Sequence, residues 1–159
     1  MPKGTTLLEA VKNCKIEVYT DSDYAMDRDT RKSTSGFCIY LNNNLIYWSS
    51  RKQACTAQST AEAEMIAGCA GAKYAQYVRK ALHEIWMILD GKHASMNKGE
   101  KNNVSVMINS PKPDLFIDNK AAEIVAKTGD FTKRMRHIDV RYYYLADQVK
   151  RNQISVNHI

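Results

Sequence analysis

No stretch of the 159 residues approaches the ~20 consecutive apolar positions of a membrane-spanning helix, so no such span is expected. The N-terminus, Met1-Pro2-Lys3-Gly4, lacks the apolar stretch of a signal peptide. Cysteine is sparse: Cys14, Cys38, Cys55 and Cys69, with no C-x-x-C pair and none at zinc spacing from a histidine. These spacings predict buried, reduced thiols and a cytosolic or nuclear setting rather than secretion. Internal repeats and low-complexity tracts are absent too. What is there is enough apolar residue, 44%, to build a core, which excludes wholesale disorder. The length suits one domain. The net charge of +6, from 23 basic and 17 acidic residues, favours polyanionic partners without requiring one.

Residues 1–13 read as a polar lead-in to a domain over 14–159. Ile16 to Asp21 alternates and is rich in β-formers, which predicts a strand. A polar loop, Asp21 to Ser33, separates it from a second strand, Gly36 to Leu41. Asn42-Asn43-Asn44 is turn material before a third strand, Leu45 to Ser50, so the two form a hairpin. A long helix follows, Ala61 to Leu89, with a capping box of Ser59 and Glu62. Residues 90–112 read as an exposed insertion, with room for a short strand at Val104–Ile108. Asp114 to Asp118 is a short apolar run of the kind buried in a sheet. Asn119 caps a helix through Lys127, and Gly129 stops it. A basic loop, residues 133–137, leads into a helix from Ile138 to Lys150, and Gln153 to Ile159 reads as the last strand. This order implies an α/β fold, a mixed sheet with helices packed on it.

Three carboxylates stand where chemistry collects. Asp21 closes the first strand and Asp118 the fourth; if those strands are parallel neighbours, the two meet. At ~100° per residue, Glu64, Gly68, Gly71, Ala75, Val78 and Leu82 share one helix stripe, which is otherwise small or apolar and so faces the sheet. Glu62 lies roughly opposite, on the side of Lys73, Gln76 and Lys80, and has a capping role. Glu64 has none, and a lone carboxylate on a core-facing stripe is costly unless paired or bound to a cation. Converging carboxylates repel each other; a hard divalent cation, Mg²⁺ or Mn²⁺, removes that repulsion. Two such ions ~4 Å apart can drive phosphodiester cleavage. A strand-end aspartate is as readily a turn or cap, so the residues alone leave both readings open.

Six segments, in this order, resemble the copia-type branch of the ribonuclease H family: Tyr19-Thr20-Asp21-Ser22-Asp23-Tyr24-Ala25, Asp29-Thr30-Arg31-Lys32-Ser33-Thr34-Ser35-Gly36, Trp48-Ser49-Ser50-Arg51-Lys52-Gln53, Ser59-Thr60-Ala61-Glu62-Ala63-Glu64, Ile117-Asp118-Asn119-Lys120-Ala121-Ala122 and His137-Ile138-Asp139-Val140-Arg141-Tyr142. The resemblance implies a five-stranded ribonuclease H-like fold in a retrotransposon Pol polyprotein. It implies Asp21, Glu64 and Asp118 as catalytic and metal-binding residues, and Mg²⁺ or Mn²⁺ as cofactor. Asp23, deeper in the loop, is a poorer first ligand. The family's fourth carboxylate lies in a Leu-Ala-Asp segment on a final helix after the last strand. That helix is expected to be missing here, since Leu145-Ala146-Asp147 falls inside the preceding helix. The 90–112 segment is longer than the family's connection.

The activity implied is endonucleolytic hydrolysis of the RNA strand of RNA–DNA hybrids during reverse transcription, leaving a 5′-phosphate. Its implied partners are the hybrid and the reverse transcriptase portion of the polyprotein, with no membrane and no small-molecule cofactor. Its implied location is a cytoplasmic virus-like particle or the nucleus. Arg31, Lys32, Arg51, Lys52, Lys120, Lys133, Arg134 and Arg136 are candidates to neutralise phosphates, the Lys133–Arg136 cluster foremost. Ser22 and Asn119 are candidates to donate to ribose or phosphate. His137 reads as a loop or cap residue, Tyr142, Tyr143 and Tyr144 as packing, and Trp48 and Trp86 as core. Two other readings stand beside the nuclease. One is a catalytically impaired domain that keeps the fold and acts as a nucleic-acid-binding or structural module. The other is an integrase-like strand transferase, which the order Glu64 before Asp118 disfavours.

Overall fold

The structure, a computed structural model, describes residues 6–91, 111–129 and 140–159, the side chains of 140–142 excepted. The elements run α1 (Leu7–Lys12), β1 (Ile16–Asp23), β2 (Thr34–Leu41), β3 (Asn44–Lys52), α2 (Thr60–Leu89), β4 (Asp114–Ile117), α3 (Lys120–Thr128), α4 (Val140–Lys150) and β5 (Ser155–His158). The strands form one mixed five-stranded sheet in the order β3-β2-β1-β4-β5. β1–β2 and β2–β3 are antiparallel; β1–β4 and β4–β5 are parallel.

Local chemistry accounts for most boundaries. Asn42 and Asn43, at φ 49 and 64, supply the left-handed pair that a two-residue hairpin needs. Ser59 caps α2, accepting from the Glu62 amide at 3.2 Å, while the Glu62 carboxylate reaches back to the Gln58 amide at 2.7 Å. That capping contact buries Glu62 rather than leaving it beside the exposed Lys73 and Lys80. Asn119 accepts from the Ala122 amide at 3.0 Å, and Gly129 at φ 70 ends α3.

Alternate residues of the central strands face the helices. Ile16, Val18, Ile39, Leu115 and Ile117 are fully buried, each contributing about 1.5–3 kcal/mol. The stripe predicted for the long helix lies against this face. Gly71 makes the close crossing possible: a Cβ there would stand 2.8 Å from Thr20 Cγ2 and 3.0 Å from Val18 Cγ1. Among the described residues no helix covers the other face, which carries Tyr19 stacked on Phe116 with ring centroids 4.8 Å apart.

Several expectations need correction. The lead-in is not featureless, because Thr6 and Glu9 form a complete capping box that starts α1. Trp86 is buried as expected, but Trp48 is 66% exposed, since β3 is an edge strand and Trp48 pairs with Cys38 on the uncovered face. All four cysteines are free, yet only Cys14 and Cys69 are buried; Cys55 is exposed in the loop before α2. Tyr143 is largely exposed. The strand expected at Val104–Ile108, most of the insertion, and the basic loop with Lys133, Arg134, Arg136 and His137 lie outside the described residues.

Candidate metal centre

β1 and β4 are parallel neighbours, with Thr20 opposite Ile117 as the last pair. The next residue along each chain is therefore an aspartate, so Asp21 and Asp118 emerge side by side just past the last β1–β4 pair; β1 itself runs on to Asp23 against β2, so Asp21 does not close the strand as expected. α2 adds Glu64, its fifth residue, from above the sheet. Each of the three residues offers one carboxylate oxygen within 4.8 Å of the others, Asp21 and Asp118 exposed and Glu64 buried. Among the described residues this is the one such acidic group.

Glu64 is held rather than loose. Its Oε1 accepts from the Ser22 hydroxyl at 2.6 Å and the Ser22 amide at 3.0 Å. Its Oε2 is buried and has no hydrogen-bond partner. Burial pushes the Glu64 carboxyl up to about 7; the Ser22 bonds oppose this, and the charges of Asp118 and Asp21 add to it. A buried oxygen without a donor, on a carboxylate grouped with two others, is the pattern a cation satisfies. The donor set is all hard oxygen, which suits Mg²⁺ or Mn²⁺.

A groove of about 450 Å³ runs from this cluster over the uncovered sheet face, with Asp21, Asp118, Trp48 and Ile159 on its walls.

The other candidates divide. Ser22 directs both its donors at Glu64, so its task is orientation before any contact with ribose. Asn119 uses its side-chain oxygen as the α3 cap. Lys52 pairs with Asp27, whose carboxylate also accepts from the Thr30 amide and hydroxyl; the Lys52 ammonium holds Asp27 well below the usual carboxylate range. Lys120 and Lys127 both pair with Glu123 and hold it at about 2, which ties Glu123 into α3 rather than into the cluster. Asp147 on α4 pairs with Arg151, just past the helix end. Gln53, quoted above within a motif but given no role, is buried beside α2 and bonded to it.

The sheet order and the helix packing recur in solved proteins. The LC11 ribonuclease H1, solved in complex with an RNA/DNA hybrid, superposes with a TM-score of 0.52 over 91% of this chain and 85% of its own, at 12% identity. The chain has the ribonuclease H fold. No protein-family model matches the sequence. In sequence, this ribonuclease H-like chain resembles segments of retrotransposon Pol polyproteins, as its motifs imply. It is 31% identical over 141 residues to the Pol polyprotein from transposon TNT 1-94 of Nicotiana tabacum, covering 89% of this chain. It is 27% identical over its whole length to that from transposon RE1 of Arabidopsis thaliana. The chain spans 9% of the length of each.

Proposed function

We propose that this ribonuclease H-like domain is an endoribonuclease that hydrolyses the RNA strand of RNA–DNA hybrids. One observation carries the reading: Asp21, Glu64 and Asp118 meet within 4.8 Å, with a buried Glu64 oxygen that lacks a donor. The hybrid bound to the LC11 relative in fold supports the substrate class.

Asp21, Glu64 and Asp118 would hold the metal, Mg²⁺ or Mn²⁺, in the two-ion manner. Divalent cations bound there supply the positive charge that activates water and stabilises the leaving oxygen of a phosphodiester. The chain's own residues do the rest. Ser22 fixes the Glu64 carboxylate by two hydrogen bonds to Oε1, which leaves Oε2 without a donor. β1 and the end of β4 hold Asp21 and Asp118 at the surface, where a duplex can reach them. The basic residues, Lys133, Arg134 and Arg136 among them, neutralise phosphates, and hydrogen bonds to 2′-hydroxyls distinguish RNA from DNA. The domain acts beside the reverse transcriptase portion of its polyprotein, in a cytoplasmic virus-like particle or the nucleus.

The test is cleavage of a labelled RNA–DNA hybrid with Mg²⁺ or Mn²⁺. The parent chain cuts the RNA strand and Glu64→Gln does not, a loss of at least 100-fold on the scale of removing a principal electrostatic group. Salt-sensitive hybrid binding without cleavage, even at high Mn²⁺, would make the domain a binding module instead.

A further inference from the structure

Three of the sequence segments singled out above contain residues that the carboxylate cluster leaves unexplained: Ser33 and Ser35, Gln53, and Ala63. They meet in one place. Gln53 is 4% exposed, and its side-chain amide donates to Ser35 Oγ at 2.8 Å and to the Ala63 carbonyl at 3.0 Å. Its backbone amide donates to the Ser33 carbonyl at 2.8 Å. Ser33, fully buried, accepts in turn from the Ala25 amide at 3.0 Å. The Gln53 carbonyl oxygen is buried with no partner among the described residues. An apolar side chain of similar length would fill the same space without that desolvation cost, so packing alone does not account for glutamine here.

Ala63 immediately precedes Glu64. The Gln53 amide therefore grips the backbone one residue before the buried carboxylate and ties it to Ser35 on β2. Ser22 on β1 grips the same carboxylate from its other end. We propose that Gln53 is a positioning residue: through Ala63 it fixes the first turn of α2 against the sheet, and so sets where Glu64 meets a divalent cation. This rests on the metal-dependent nuclease reading. Residues that orient metal ligands by hydrogen bonds change metal affinity on the order of 10–100-fold when removed.

The experiment is a Mn²⁺ binding titration without nucleic acid, followed by calorimetry and by the electron paramagnetic resonance of free Mn²⁺. Gln53→Met, which keeps length but removes both donors, is expected to weaken Mn²⁺ binding by about tenfold. Cleavage should return towards the parent rate as Mn²⁺ is raised. Ile39→Val, a core change four positions along β2 from Ser35 and making none of this network's hydrogen bonds, serves as the stability control: its thermal stability falls and its Mn²⁺ affinity stays. Equal affinity in Gln53→Met and the parent overturns the proposal, as does an equal weakening in Ile39→Val at matched stability. If Gln53→Met does not fold, Ser35→Ala decides, with weaker Mn²⁺ binding supporting the role and unchanged binding overturning it. Glu64→Gln separates the two levels: if it binds Mn²⁺ like the parent, the nuclease site itself is wrong, whatever Gln53 does.

Discussion

A buried carboxylate oxygen without a donor makes Glu64 a costly residue. Its carboxyl takes up a proton more readily in the folded protein than in the unfolded chain, because burial raises it from 4.5 to about 7. Between those values the folded state binds more protons, so stability falls as pH rises through that window and is lowest above it. In metal-free buffer the parent should therefore lose on the order of 1–3 kcal/mol between pH 4.5 and pH 8. Glu64→Gln should remove that loss, because the amide is neutral and its nitrogen can donate to Asp21 or Asp118. Urea unfolding in chelator at pH 8 checks this: the variant is expected to be the more stable protein, though inactive. A variant no more stable than the parent at pH 8 would contradict the burial argument. Residue-level reasoning reached Glu64 from the sequence because a carboxylate on an apolar stripe is conspicuous. Gln53 escaped it: a glutamine after a strand of alternating exposure carries no periodic signal, and only its partners reveal its task.

At the scale of elements, the close crossing of α2 over β1 controls the geometry. Gly71 stands one packing layer below Thr20, the neighbour of Asp21. Gly71→Ala gains helix propensity of about 1 kcal/mol but forces a methyl to within 3 Å of two strand side chains. Overpacking wins because Thr20 and Val18 are themselves buried and cannot retreat. A net loss of roughly 1–2 kcal/mol is expected in urea unfolding, with weaker hybrid cleavage as α2 lifts and carries Glu64 away. Unchanged stability would mean that the helix shifts freely. Element boundaries were legible where end chemistry is strong. Asn42-Asn43, Ser59, Asn119 and Gly129 all act as read. α1 was missed although Thr6 and Glu9 spell its capping box, because six residues show no apolar period. Trp48 was misjudged because strand composition does not reveal which strand will lie at the sheet's edge.

For the whole molecule, the proposed nuclease reading sets metal and protons in competition for one pocket. A cation that binds the folded state stabilises it in proportion to its affinity, by about 2.7 kcal/mol at one hundred times its dissociation constant. Because a proton on Glu64 opposes binding, the thermal shift produced by Mn²⁺ should grow from pH 6 to pH 8. In Glu64→Gln the shift should shrink and lose its pH dependence. Differential scanning fluorimetry at fixed Mn²⁺ reads both outcomes, and a pH-independent shift in the parent would place the ion elsewhere. The mixed sheet and the convergence of Asp21 with Asp118 were readable as a conditional, since strand-end aspartates meet only if their strands are parallel neighbours. Adjacency was not readable, because pairing between distant strands leaves no local mark.

That pairing also sets when the cluster comes into being. Thr20 and Phe116, joined by a hydrogen bond across β1 and β4, are 96 positions apart. A chain emerging from the ribosome exposes Asp21 and Glu64 long before their third companion has been synthesised. Closing so wide a loop is slow, since its entropy must be met before any contact repays it. The half-made chain thus has no assembled carboxylate triad.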